Sequence, residues 1–118
     1  MSEPVNMSRL REAALEDPEF MGELVEMYLS DAADQVASLE QAIVSEDWRA
    51  TNSTAHRLRG ASSNVGAQEL ARLCAVLEER SSKGVALESS AGEGLRGEFE
   101  RVVVALQACV TQAKNEAG

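Results

Sequence analysis

The sequence contains one histidine, His56. It stands in the run Ala55-His56-Arg57-Leu58-Arg59-Gly60-Ala61-Ser62-Ser63-Asn64-Val65-Gly66. Arg59 follows the histidine at i+3 and Gly60 at i+4, so on a helix the three share one face. A nearby cation favours the neutral, nucleophilic form of an imidazole. It also stabilises a phosphoryl group once one is attached. Glycine inside a helix costs about 1 kcal/mol relative to alanine. Leu58, Ser62 and Val65 nevertheless continue the inward spacing past Gly60, which points to something that must approach the backbone beside His56. Nucleophile, access and cation together describe a phosphate acceptor. The bland readings of the same residues are a solvated surface histidine, a helix break and an ordinary ion-pairing arginine.

Other chemistries fail on counting. No G-x-S-x-G nucleophile elbow occurs, and Ser53, one turn before His56, reads as a polar surface residue. No Gly-rich loop leads into Lys-Ser/Thr, so a nucleotide site of that kind is not expected. Two cysteines and one histidine make a poor zinc set, and no metal site is expected. Paired-carboxylate chemistry has the residues it needs, but no cleft is implied.

The elements that must position this face read as helices. Ser8 is a candidate cap for a short helix to about Leu15, after a frayed start over Met1 to about Met7. Asp17-Pro18 reads as the N-cap and first position of a long helix to about Ser45. Its inward stripe is Met21, Leu24, Val25, Tyr28, Ala32, Val36, Leu39 and Ile43. Asp47 caps the next helix, whose stripe is Trp48, Thr51, Ala55, Leu58, Ser62 and Val65. His56 then points roughly 140° from the middle of that stripe, so it faces outward with Arg49, Asn52, Ser53, Gly60 and Ser63. Gly66 is a left-handed stop. A further helix spans about Ala67 to Ser81, with Leu70, Leu73, Cys74 and Leu77 inward. Val85 to Gly94, rich in Ser, Gly and Glu, reads as a loop whose passage into the next helix the sequence leaves open. A last helix spans about Leu95 to Lys114, with Leu95, Phe99, Val102, Leu106, Cys109, Val110 and Ala113 inward, and the tail from Asn115 frays. The predicted fold is all-α: an antiparallel up-down four-helix bundle with a short additional N-terminal helix, in a single domain over residues 1–118.

Composition agrees. Apolar residues make up 44% of the chain but aromatics only 3%, so the core must be aliphatic. A net charge of −9 argues against nucleic acid and against an anionic membrane surface. The N-terminus lacks the pattern of a signal peptide. Cys74 and Cys109 read as buried thiols in a reducing cytoplasm, where the protein is expected.

The run from His56 to Ala67 resembles the signature of histidine-containing phosphotransfer (HPt) domains. Their pattern is Ala-His-x-Leu-Lys-Gly-Ser, a few small residues, then Gly-Ala or Gly-Leu opening the next helix. Leu70, Leu73, Cys74, Leu77 and Glu78 match the usual continuation, so the specific likeness covers about Ala50 to Glu79. The resemblance implies a four-helix bundle that exposes its phosphorylatable histidine midway along a helix. It implies relay of phosphoryl groups between receiver-domain aspartates in two-component signalling, with no ATP site and no kinase activity of its own. Carried over, His56 is the acceptor, Arg59 stands where lysine is usual, and Gly60 leaves room for the partner. Glu78 falls where some members place a polar residue that bonds the imidazole. Two departures, Arg59 for lysine and Ala61 for serine, imply altered rates or partner choice.

On this reading the protein has no cofactor of its own, and Mg²⁺ comes with the partner receiver. The expected partners are response-regulator receiver domains or a hybrid sensor kinase, met by a monomer through Asn52, Ser53, Arg57, Gly60, Ser63 and Asn64. Two alternatives stand beside it. A non-catalytic helical adaptor predicts binding that survives loss of His56. The phosphorylatable domain of a chemotaxis-type kinase predicts catalytic domains elsewhere in a longer reading frame.

Overall fold

The computed structural model describes residues 3–84 and 90–118. These form α1 (Met7–Ala13), α2 (Pro18–Val44), α3 (Trp48–Asn64), α4 (Gln68–Ser82) and α5 (Ser90–Ala117), with no strand among the described residues. The helix starts are local chemistry. The Asp17 carboxylate accepts from the backbone N–H groups of Glu19 and Phe20, and Pro18 occupies the first turn. The Asp47 carboxylate accepts from the Ala50 N–H at 3.0 Å. Both caps satisfy donors that a helix N-terminus otherwise leaves open.

α2 through α5 form an antiparallel up-down four-helix bundle, with α3 packed on α4 and α2 on both α3 and α5. Leu39, Val36, Leu58, Leu70, Cys74, Val102 and Leu106 are fully buried between them. The inward stripes stand as the spacing predicts, except that Leu24, Leu73, Trp48, Cys109 and Val110 are only half-buried. One polar pair lies inside: Tyr28 Oη and Ser62 Oγ are 2.7 Å apart and tie α2 to α3. Burial pushes the Tyr28 phenol up to about 12, against the pull of the Ser62 bond, so it stays neutral.

The two long helices have 27 and 28 residues and the two short ones 17 and 15. At 1.5 Å per residue the short pair falls about 15–20 Å short. α1 fills that space under the α3–α4 turn. Its buried face is Leu10, followed by Ala14 just past its end.

Five expectations need correction. Residues 1–2 of the expected frayed start lie outside the described residues, and residues 5–7 are not frayed: Val5 is buried, the Asn6 N–H donates to the Gly66 carbonyl at 2.8 Å, and the Asn6 side chain, not Ser8, caps α1. Docking on a distant turn, invisible in local sequence, supplies the order. α1 also stops at Ala13, and Leu15 is 76% exposed with φ +56°. Next, residues 85–89 of the expected 85–94 loop lie outside the described residues, while 90–94 are helical. Gly92 packs beside the Glu40 side chain and Arg96 pairs with Glu40, so tertiary contact with α2 outweighs the helical cost of the glycines. Finally, the C-terminus runs helical to Ala117, where Arg11 pairs with Glu116 at 2.6 Å.

Candidate functional site

His56 lies midway along an unbroken α3. Gly60 does not break that helix. A Cβ built at Gly60 meets nothing within 4 Å, so neither the backbone nor the packing of this chain requires glycine there.

The imidazole is outward, its side chain 63% exposed. Its Nδ1 sits 2.8 Å from Glu78 Oε2 on α4. The other carboxylate oxygen, Oε1, accepts from Arg59 Nε at 2.8 Å, and Arg59 Nη2 lies 3.2 Å from Nδ1. Desolvation pushes the Glu78 carboxyl up, but the bonds from His56 and Arg59 outweigh it and hold the group below its ordinary value. An ionised carboxylate can only accept. Nδ1 therefore carries the proton it donates to Glu78. On a neutral ring the lone pair then falls on Nε2, at the edge away from α4.

α4 presents Glu78 from the rim of its buried stripe, where Cys74 and Leu77 pack inward. Asn52, one turn before His56, donates from Nδ2 to the Glu78 main-chain carbonyl at 2.8 Å. On a helical wheel Asn52 and Arg59 lie about 40° and 60° to one side of His56, the side of α4. Gly60, Ser53, Asn64 and Arg57 lie on the other side, and all four are exposed, as is Ser63. The Ser53 hydroxyl donates to the Ala50 carbonyl of its own helix, at 3.4 Å. The structure thus gathers His56, Arg59, Gly60 and Glu78, turns Asn52 inward to α4, and leaves Ser53, Arg57, Ser63 and Asn64 open.

Beneath the site Cys74 is fully buried. Burial pushes its thiol up to about 12, which removes it as a nucleophile. Among the described residues no group of three or more His, Cys, Asp or Glu side chains is placed to hold a metal ion. No described helix is long and apolar enough to cross a membrane.

The family model for the Hpt domain matches residues 23–116. The chain belongs to the Hpt domain family. Among solved structures, it is similar to histidine-containing phosphotransfer protein B (HptB) from Pseudomonas aeruginosa PAO1. The identity is 25%, the TM-score 0.85, and the match covers 95% of this chain and 98% of the other. The fold is also that of the HPT domain from a hybrid histidine kinase of Shewanella, with TM-score 0.77 at 23% identity over 93% and 96% of the two chains. No curated protein matches the chain in sequence. As an Hpt domain, the protein serves histidine phosphotransfer in a phosphorelay.

Proposed function

We propose that His56 is the phosphoryl-carrying residue and that Nε2 is its reactive atom. The observation that carries this reading is the pairing of a sole histidine with its geometry: Nδ1 held by Glu78, the rest of the ring open to solvent. The Nε2 lone pair attacks the phosphorus of an aspartyl phosphate on a receiver domain. The N–P bond forms, the acyl O–P bond breaks, and the aspartate leaves as carboxylate. The ring now carries phosphorus on Nε2 and a proton on Nδ1, and Glu78 balances the positive charge this creates. Attack by a second receiver's aspartate on the same phosphorus reverses the step.

The partners are receiver domains, free or within a hybrid sensor kinase, and the receiver brings the Mg²⁺ that neutralises the transferring group. The carrier contributes no kinase activity. Its docking surface is the open side of α3, with Ser53, Arg57, Gly60, Ser63 and Asn64. The interface is small and transient, because a relay must release each partner. The net charge of −9 leaves nucleic acid and anionic lipid out of the partner set.

The test is incubation with a phosphorylated receiver. The protein takes up an acid-labile, base-stable label, and His56→Gln abolishes it with the helical circular dichroism unchanged. Label retained in the folded variant would place the acceptor elsewhere.

A further inference from the structure

We infer that Asn52 and Arg59 are positioning residues that act on His56 through Glu78: Asn52 fixes the main chain at Glu78, and Arg59 occupies Oε1 so that Oε2 is left for Nδ1. The inference rests on the reading of His56 as the carrier. It changes the roles the sequence suggests for both residues, a partner contact for Asn52 and a phosphate-facing cation for Arg59.

Three observations carry it. First, Asn52 is not presented to a partner. Its Nδ2 is committed at 2.8 Å to the Glu78 carbonyl, which also accepts from Ser81 Oγ at 3.0 Å. A side-chain amide bound to a main-chain carbonyl on the neighbouring helix sets the axial register of α4 against α3 at the residue that touches the histidine. Second, Arg59 spends its Nε on Glu78 Oε1 at 2.8 Å, while Glu78 Oε2 reaches His56 Nδ1 at the same distance. Each carboxylate oxygen has one side-chain partner among the described residues, so the plane of the carboxylate is fixed from two directions. Third, the helical wheel places both residues on the α4 side of His56, away from exposed Gly60 and Arg57. The guanidinium, bonded to Glu78 through Nε and with Nη2 3.2 Å from His56 Nδ1, lies at the Nδ1 edge of the ring, opposite the edge where Nε2 takes a phosphoryl group. The planar fork of arginine suits this task better than an ammonium, which is a point charge.

The consequence is control of the tautomer. Which ring nitrogen holds the proton is set by the bond the other makes. With Glu78 displaced or turned, the neutral ring moves toward the Nε2–H form, which has no lone pair at the reactive position.

The experiment reads the ring directly. Long-range ¹H–¹⁵N NMR of the full chain at alkaline pH, with His56 neutral, reports the tautomer. Potassium phosphoramidate then tests reactivity without any partner: the N–P bond to His56 forms as ammonia leaves, followed by ³¹P NMR. Wild type is Nδ1–H. Asn52→Ala, Asn52→Asp, Arg59→Ala and Glu78→Gln each move the population toward Nε2–H and slow phosphoramidate labelling about fivefold, the worth of one hydrogen bond. Arg59→Lys, which keeps one donor for Oε1, recovers most of both. An unchanged tautomer and labelling rate in Asn52→Ala and Arg59→Ala, with slower transfer only from a receiver, would return both residues to the partner interface and overturn the inference. A normal tautomer pattern with no labelling of any variant or wild type by a phosphorylated receiver would overturn the carrier reading and leave the positioning network standing.

Discussion

At the scale of single residues the site is built from few parts, and each has a separable job. Gly60 is the plainest. Its Cβ position is empty, so Gly60→Ala fits the free protein and removes the helical penalty of glycine. Gly60→Ala therefore raises stability by about 1 kcal/mol, read by urea denaturation, while Gly60→Gln slows transfer from a receiver and leaves phosphoramidate labelling intact. Equal stability of the alanine variant and wild type would mean that glycine serves the backbone here. A second residue, Glu98, is held against its chemistry. It is 6% exposed, its Oε1 accepts from Arg101, and its Oε2 has no hydrogen-bond partner among the described residues. Burial pushes its carboxyl above the ordinary value, against the pull of Arg101. An acid whose folded value is raised favours the fold when protonated, so that contribution is lost as pH rises through the folded value. Glu98→Gln accordingly stabilises at neutral pH, by about 1 kcal/mol, and the gain shrinks on acidification. Glu78 has the opposite sign. Its lowered carboxyl contributes stability above the ordinary carboxylate range and loses it as pH falls through the folded value.

At the scale of elements, two contacts decide how α3 is aimed. The Tyr28–Ser62 bond crosses from α2 to α3 inside the core. Tyr28→Phe leaves the Ser62 hydroxyl without its buried partner and costs about 1–3 kcal/mol, measured as a lower unfolding midpoint with an unchanged m-value. Gly66 closes the other end. Its φ is +82°, and a Cβ there would lie 2.5 Å from the Asn6 carbonyl. Gly66→Ala forces out the N-terminal segment and destabilises more than Tyr28→Phe does; a variant as stable as wild type would show that this docking carries no weight. Much of this scale is legible in sequence. Asp17-Pro18, Asp47 and Gly66 announce their positions by local chemistry, and the 3.6-residue stripes of α2 and α3 put Tyr28 and Ser62 inside. The hidden part is pairing across sequence distance. Nothing near Asn6 foretells Gly66, and nothing near Ser90 foretells the contact with α2 that lets glycines remain helical. Periodicity gives Asn52 a direction but no partner, so its bond to the Glu78 carbonyl is invisible to it. Glu78 itself, 22 residues from His56, enters from sequence only through the family likeness.

The whole molecule is a rod, 50 × 25 × 18 Å, with a radius of gyration of 14.8 Å; a round chain of this length has about 13.5 Å. The long helices make the rod and the short pair makes the platform that carries His56. α1 completes the end away from the α2–α3 turn, and there Arg11 meets Glu116 on the surface. An exposed pair of this kind is screened by solvent and contributes little. Glu116→Gln should therefore leave both the unfolding midpoint and phosphoryl transfer within error of wild type, whereas deletion of residues 1–6 lowers the midpoint by removing Val5 and Asn6 from the α3–α4 turn. This separation of scaffold from platform leads back to the ring itself. After phosphorylation by a receiver, ¹⁵N–³¹P coupling in labelled protein identifies the nitrogen that bears phosphorus. The expected site is Nε2 of His56, with Nδ1–H still bonded to Glu78; phosphorus on Nδ1, or on any other residue, would contradict the carrier role and the tautomer assigned to His56.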